Sequence, residues 1–206
     1  MPLAAVTQRE QLRTLVTGHS LLRAQELREA GIAGSTIQRA LRHGDLVRIG
    51  RGLYQSPQAE IDGNLTYAEV AKRIPKGIIA MVSALAFHGL TDQMPRKTWV
   101  AIAPGDWSPV PGYPPVRIVR FAPKYLSLGV EHHAISGIDV PVFSVTKTLA
   151  DLFRNSRLVD RSIAVEGLRA ALELRKATPA AIAEAAQQGG AWRTMRPYLE
   201  ALSFNG

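Results

Sequence analysis

The sequence predicts an α+β protein of two domains. Three helical patterns and two short strand-like runs occupy residues 1–57, and further strand-like and helical patterns fill residues 66–206. Residues 58–65 between them are polar and include Asp62, Gly63 and Asn64, a composition typical of an exposed linker. At 206 residues the chain is long enough to bury a hydrophobic core in one or two domains.

Three helices are predicted in the first domain. Apolar residues recur at helical spacing in Thr7–Val16, and a second amphipathic pattern covers Leu22–Ala30. After the short turn Gly31–Gly34, Ser35 is placed to act as the N-cap of a third helix that runs through His43. Two helices joined by a tight glycine-containing turn predict a helix-turn-helix.

The third predicted helix has two different faces. Its inner face is formed by Ile37, Ala40 and Leu41. Its outer face carries residue types that contact base edges and phosphates: Thr36, Gln38, Arg39, Arg42 and His43. Of these, we expect His43 only to close the helix near its negative end.

A hairpin is predicted directly after this helix. The strand-like runs Leu46–Ile49 and Leu53–Tyr54 are joined by Gly50-Arg51-Gly52, whose glycines permit positive φ in a tight turn. Arg48 and Arg51 then lie where a wing meets the DNA backbone or the minor groove. Helix, turn, helix and hairpin in one continuous stretch predict a winged helix-turn-helix that binds double-stranded DNA. The predicted DNA-binding residues are Ser35, Thr36, Gln38, Arg39, Arg42, Arg48 and Arg51.

The charge distribution supports a nucleic-acid partner. The chain has 25 Lys and Arg against 17 Asp and Glu, a net charge of +8 and a pI near 10.2. Residues 1–57 alone contain eight Arg and no Lys against four acidic residues. The guanidinium fork suits bidentate contacts to phosphate and guanine better than an ammonium does.

Composition also excludes several classes of protein. The sequence has no Cys, which excludes disulfide frameworks, zinc fingers, iron–sulfur clusters and thiol nucleophiles, and agrees with a reducing cytoplasm. No apolar run of about 18 residues and no signal-peptide pattern occurs. We therefore expect a cytoplasmic protein with no membrane partner.

Three segments of the sequence resemble one family. Gly31–Ile37 with the later run GDLVRIGRGLY, which ends at Tyr54, is similar to the N-terminal winged helix of AbiEi antitoxins of type IV toxin–antitoxin systems. Ser83–Leu90 followed by Thr98–Ile102 resembles the start of the second domain of that family, and Ser144–Leu152 resembles a later helix. In this order the segments extend the resemblance over about Thr7 to Leu174.

This resemblance implies a regulator of bacterial phage defence by abortive infection. Such a protein binds inverted repeats in its own promoter, represses its operon and counteracts a toxin similar to nucleotidyltransferases, without needing a stable complex with it. The wing and the third helix would then contact DNA, while the second domain would carry the antitoxin function.

The second domain is predicted to be α/β, with a small mixed or antiparallel sheet covered by helices. Its pattern begins with two helices, Thr66–Arg73 and Ile78–His88. Four strands are expected at Thr98–Ala103, Val116–Phe121, Val130–Ile135 and Val140–Phe143. Four helices follow at Val145–Phe153, Val159–Leu174, Pro179–Gln187 and Ala191–Leu202.

The candidates for an active site are weak. The closest group of acids and histidines is Glu131, His132, His133 and Asp139. Neighbouring strand residues point to opposite faces, which argues against both histidines binding one metal and favours a polar edge strand. The sequence contains no Walker loop, nucleophile elbow, dinucleotide fingerprint or zinc helix. We therefore expect no enzymatic activity, no cofactor and no metal.

Other polar residues favour structural roles. His88 is expected to cap an apolar helix or to lie at the core edge, and Asp151 with Arg154 has the spacing of a surface ion pair.

A second nucleic-acid surface is possible near the Pro-rich loop Pro104–Pro115. Trp99, Trp107 and Tyr113 flank or lie in this loop, and we favour loop anchoring by these aromatic rings over stacking on a single strand. The basic residues of this candidate surface are Arg96, Lys97, Arg117, Arg120 and Lys124.

Alternative functions remain open from the sequence. A winged helix can serve as a protein-interaction module, or the regulator can stand alone without a toxin. A metal-dependent nuclease is disfavoured because the nearest cluster of charges, Glu173–Lys176, lies at the end of a helix.

Overall fold

The computed structural model describes residues 7–18, 22–50, 52–58, 64–107, 112 and 114–203. The chain divides into two compact units, residues 1–65 with 134–138 and residues 66–133 with 139–206. Helices and sheets both contribute to the fold, so the predicted α+β class is confirmed.

The described residues of the first unit form three helices around a small core. They are α1 (Gln8–Gly18), α2 (Ala24–Glu29) and α3 (Gly34–His43). Each presents apolar residues at helical spacing, and these meet in one cluster because burial of a Leu or Ile side chain stabilises the fold by about 1.5–3 kcal/mol. The buried residues of this cluster are Leu12, Val16, Leu22, Leu27, Ile32, Ile37, Ala40, Leu46 and Tyr54.

A three-stranded sheet completes the first unit. Its strands are β1 (Leu22–Arg23), β2 (Val47–Gly50) and β3 (Leu53–Gln55), in the order β1-β3-β2 with both pairs antiparallel. The prediction that Leu22 begins the second helix is wrong, because its backbone pairs with Tyr54 of β3. A two-residue strand leaves no periodicity to distinguish it from a helix start.

The second unit contains seven helices and a larger sheet within its described residues. The helices are α4 (Leu65–Arg73), α5 (Met81–Phe87), α6 (Pro123–Leu126), α7 (Val145–Arg154), α8 (Arg161–Glu173), α9 (Pro179–Gln188) and α10 (Trp192–Ser203). The strands are β4 (Ile78–Ile79), β5 (Thr98–Ile102), β6 (Val116–Arg120), β7 (Val130–Ile135) and β8 (Ile138–Phe143), and of these only residues 134, 135 and 138, at the adjoining ends of β7 and β8, are counted with the first unit.

The larger sheet has five strands where four were predicted. Its order is β6-β5-β4-β8-β7; β4 pairs antiparallel with β5 and parallel with β8, and β5 pairs parallel with β6. The missed strand is β4, because Ile78 was assigned to a helix that in fact begins at Met81. A short apolar run fits a central strand and a buried helix equally well. The chain changes direction between β4 and α5 at Met81, a non-glycine residue with φ +54°.

Both faces of β5 are buried. On one face, Trp99 and Ala101 join a cluster that includes Val119 of β6 and buried residues of α5, α7, α8, α9 and α10. On the other face, Val100 and Ile102 are also almost fully buried. No helix among the described residues is long and apolar enough to cross a bilayer.

Candidate nucleic-acid interface

Helix α3 presents one face to the core and the other to solvent. Ile37 and Ala40 are 5% and 4% exposed, while Gln38, Arg39 and Arg42 are exposed. The helix stops at Gly44, whose φ of +72° is the left-handed conformation that glycine adopts without strain. The predicted amphipathic division of this helix is therefore present in the structure. Ser35 and His43 are exposed as well.

The start of α3 differs from the prediction. The N-cap is Ala33 and the helix begins at Gly34, so Ser35 lies in its first turn and does not cap it. The polar group at this end comes instead from Gln8 of α1, whose Oε1 accepts hydrogen bonds from the Ala33 N–H and the Thr36 hydroxyl. Thr36 is half-buried. A hydrogen bond supplied by a distant helix cannot be found from the local sequence.

The hairpin after α3 carries Arg48 on its exposed side. The Arg48 Nε donates to the Gly50 carbonyl at 3.1 Å, across an irregularity in β2 between these two residues. This bond ties one nitrogen of the guanidinium to the hairpin backbone, and the residue is exposed. Arg51 lies outside the described residues.

Two arginines of α1 were missed by the sequence analysis. Arg9 and Arg13 donate to the Asp45 carboxylate at 2.9 and 3.3 Å. Hydrogen bonds from Arg9 and Arg13, of which the Arg9 bond has the larger effect, hold the pKa of Asp45 below its ordinary value. The spacing of four residues, which places both side chains on one face of α1, is the signal that would have found them.

A cleft of about 190 Å³ lies between the start of α1 and α3. Arg9 lines it from α1, Arg39 and His43 line it from α3, and Asp45, two residues after the end of α3, contributes to the wall. The cleft therefore places Arg9 beside Arg39, a predicted DNA-binding residue.

The second candidate surface is divided between the two ends of β5 and β6. Arg96 and Lys97 directly precede β5, while Arg120 ends β6 and Lys124 follows in α6. Because β5 and β6 are parallel, these two pairs lie at opposite ends of the strands. Arg117 is three residues from Arg120 on one strand, so their side chains leave opposite faces. All five basic residues are exposed, but the structure does not bring them into one continuous patch.

The aromatic residues near this surface have different environments. Trp99 is 6% exposed and the guanidinium of Arg117 lies 3.9 Å from its ring centroid, so its ring face is covered. Arg120 Nη1 donates to three carbonyl oxygens of residues 103–106 and so holds that loop. Trp107 is 74% exposed. Tyr113 lies outside the described residues.

The acid and histidine group separates into pairs. His132 Nδ1 lies 2.8 Å from Asp139 Oδ2, and His133 Nε2 lies 3.4 Å from Glu131 Oε2. The pairing follows the strand alternation that was predicted to keep the histidines apart. Within the described part of the chain, no three His, Asp or Glu side chains converge as a metal site would require.

His88 lies at the end of α5, at the edge of the core. Its Nε2–H donates to the Phe143 carbonyl at 2.7 Å, and burial lowers the pKa of the imidazole. The predicted structural role agrees with this contact.

Glu173 ends α8, which also agrees with the position expected for the Glu173–Lys176 cluster.

Asp151 is not the surface residue that its spacing predicted. Its side chain is fully buried and accepts hydrogen bonds from Lys147 and Arg154. Burial raises the pKa of Asp151 and lowers that of Lys147, while their mutual attraction opposes both shifts. The Arg154 guanidinium also lies 3.8 Å from the Tyr125 ring centroid. Helical spacing identifies an ion pair but not its burial, which depends on the elements packed over it.

Residues 10–57 match the family model of transcriptional regulators described as AbiEi antitoxins. The match confirms the resemblance over the helix-turn-helix and hairpin segment. No curated protein matches the chain. Over 94% of its length the chain is similar in fold to the crystal structure of the RV2827C protein from Mycobacterium tuberculosis, covering 80% of that chain with a TM-score of 0.56 and 14% identity.

The AbiEi match includes the whole of the predicted DNA-binding set. Ser35 to Arg51 fall inside residues 10–57, as do Arg13 and Asp45. The segments Ser83–Leu90 and Ser144–Leu152 lie outside the match, so their resemblance to the AbiEi second domain stays a prediction.

Proposed function

We propose that this protein is a DNA-binding transcriptional repressor whose first unit is a winged helix-turn-helix. The order of elements supports this proposal: three helices are followed directly by the β2–β3 hairpin, and β1 extends the sheet. In this arrangement α3 enters the major groove and the hairpin is the wing. The DNA ligand is an inverted repeat in the protein's own promoter.

The exposed polar face of α3 carries the proposal. Gln38, Arg39 and Arg42 are exposed opposite the buried Ile37 and Ala40, within the segment matched to AbiEi regulators. Arginine and glutamine form bidentate contacts with guanine and adenine, and arginine also binds phosphate. The net charge of +8 favours association with a polyanion.

The second part of the proposal concerns a toxin. We propose that the protein is the antitoxin of a type IV system and counteracts a nucleotidyltransferase-like toxin without a stable complex, in the cytoplasm and without enzymatic activity of its own. The AbiEi match over residues 10–57 supports this context. Coexpression with the neighbouring gene tests it: the full chain should restore growth to cells that express a toxic neighbour.

The DNA-binding proposal is tested by fluorescence anisotropy with two duplexes. The full chain is titrated against its own upstream DNA and against a scrambled duplex, at two salt concentrations. We expect tighter binding to the upstream duplex and a weakening at the higher salt, because bound phosphates displace counterions. Arg39→Ala should weaken binding to the upstream duplex by about 1–3 kcal/mol.

The matched control is Arg193→Ala, which removes an equally exposed charge from α10, outside the AbiEi match. We expect this variant to bind both duplexes as the unmodified chain does. Equal affinity of the unmodified chain for both duplexes would contradict the repressor and favour a protein-interaction role for the first unit.

A further inference from the structure

We propose that Gln8 is a positioning residue whose side chain holds the start of α3 in place. Thr36 contributes through its hydrogen bond to Gln8 and not through a direct contact with DNA. The inference rests on the proposed function, since α3 is the helix proposed to read DNA. Gln8 is the first residue of α1, 28 positions before Thr36 in the sequence. Neither residue's sequence context predicts that they are in contact.

The Gln8 amide uses both of its polar atoms on the turn before α3. Its Nε2 donates to the Gly31 carbonyl at 3.0 Å, and its Oε1 accepts from the Ala33 N–H at 3.2 Å. One planar group therefore bridges an acceptor and a donor of the turn that joins α2 to α3. An amide side chain supplies a donor and an acceptor on one rigid planar group.

The same Oε1 also accepts from the Thr36 hydroxyl at 2.9 Å. Thr36 lies in the first turn of α3 and is half-buried. Its hydroxyl hydrogen is thus directed toward α1 in the free protein and away from a DNA base. The contact ties the first turn of α3, and not only the preceding turn, to α1.

No side chain of α3 itself caps the helix start. Ala33 at the N-cap has no side-chain acceptor. The Gln8 amide instead forms hydrogen bonds at this end of the helix and so orients it. The other end is tied to the same helix through Asp45, which receives Arg9 and Arg13. Helix α1 therefore holds α3 at both ends.

Base recognition is more sensitive to this positioning than phosphate binding is. Bidentate base contacts need side chains held to within about 0.5 Å, whereas attraction to phosphates falls off gradually with distance. Loss of the Gln8 contacts should therefore lower the preference for the specific duplex more than it lowers binding to any duplex.

The test uses Gln8→Ala in the full chain, with Gln11→Ala as the control. Gln11 is an exposed residue of the same helix. We expect Gln8→Ala to weaken binding to the upstream duplex about threefold to tenfold, the loss corresponding to one or two hydrogen bonds. Binding to the scrambled duplex should change little, while the urea midpoint of unfolding should fall because the same hydrogen bonds stabilise the fold. Gln11→Ala should change neither affinity.

Thr36 supplies a second arm. Thr36→Ser keeps the hydroxyl and should bind the upstream duplex as the unmodified chain does, while Thr36→Val should weaken binding as Gln8→Ala does. The double variant should bind no more weakly than Gln8→Ala alone, because Gln8→Ala already removes the contact with Thr36. Additive losses would show that Thr36 contacts DNA directly and would overturn the inference.

Hydrogen exchange separates this inference from the proposed function, because it needs no DNA. Gln8→Ala should accelerate exchange of the Ala33 amide and its neighbours in the turn, while Gln11→Ala should not. If the unmodified chain shows no preference between duplexes, the repressor proposal fails while this arm still decides the positioning. Unchanged exchange at Ala33 in Gln8→Ala would overturn the positioning role.

Discussion

Lys147 and Asp151 form a buried ion pair one helical turn apart on α7. Their side chains are 3% and 0% exposed, and the carboxylate also accepts from Arg154 Nη2 at 2.7 Å. The ammonium group of Lys147 lies 4.4 Å from the Phe143 ring centroid. Two cations thus compensate one carboxylate inside the core of the second unit.

Removal of the carboxylate charge should destabilise the second unit strongly. Asp151→Asn leaves Lys147 buried without its counter-ion, and breaking a buried pair in this way costs about 3–5 kcal/mol. Urea unfolding of the full chain measures the loss. Asp139→Asn is the control, because Asp139 pairs with His132 at the surface and such pairs contribute at most about 1 kcal/mol. Equal losses in the two variants would contradict the assigned burial.

Gly129 should not tolerate a side chain. Its φ is +57°, and an added Cβ would lie 2.7 Å from Lys147 Cβ and 2.8 Å from Ser144 Oγ. We expect Gly129→Ala to cost about 1–2 kcal/mol for the left-handed backbone and about 1–3 kcal/mol more for the overlap. Gly89→Ala isolates the backbone contribution, because Gly89 has φ +69° with open space around it. A Gly129→Ala loss no larger than that of Gly89→Ala would contradict the close approach.

Stability should fall as pH is lowered through the range in which histidine titrates. Burial lowers the pKa of His88, so the unfolded chain binds this proton more readily than the folded chain does. The stabilisation by neutral His88 is therefore present above the unfolded value of about 6.5 and is lost as pH falls toward the folded value. Urea unfolding at about pH 7.5 and about pH 5.5 should show the loss.

His88→Gln should reduce this pH dependence, because the replacement does not titrate and its amide can still donate to the Phe143 carbonyl. If His88→Gln preserves the full pH dependence, another group is responsible for it.

Local patterns predicted the elements of the first unit well, and the contacts between elements poorly. The apolar spacing of α3 identified Ile37 and Ala40 as its buried face, and glycine marked its end at Gly44. The contacts of Thr36 with Gln8 depend on how α1 crosses the turn, for which the sequence around α3 carries no information. Ser35 was therefore assigned a capping role that it does not have, because the helix begins one residue earlier.

The second unit shows the same limit. Strands β5 and β6 were predicted from alternation and turns, and the parallel pairing that places Lys97 and Arg120 at opposite ends was not. Asp151 and Arg154 have the spacing of an exposed pair, and burial arises only when the other helices and aromatic residues cover them. Strand pairing and side-chain burial depend on packing between distant segments, and local periodicity carries no information about them.

Asp45 should limit the affinity of the first unit for DNA of any sequence. Its carboxylate accepts from Arg9 and Arg13, and the cleft beside it brings Arg9 next to Arg39. A phosphate near Arg39 must therefore compete with Asp45 for these guanidinium groups. Asp45→Asn removes the competing charge while it keeps the size of the side chain.

We expect Asp45→Asn to bind both the upstream and the scrambled duplex more tightly by the same factor, so that the ratio of the two affinities stays unchanged, because phosphates carry no sequence information. The slope of log affinity against log salt should steepen by about 1–2, since up to two further cations become available to phosphates. Anisotropy titrations across a salt series measure both quantities, and Asp139→Asn adds the same charge change in the second unit as a control.

A gain equal to that of Asp139→Asn would mean that net charge alone is responsible. Weaker binding to both duplexes would instead show that Asp45 holds Arg9 and Arg13 in the orientation that DNA requires.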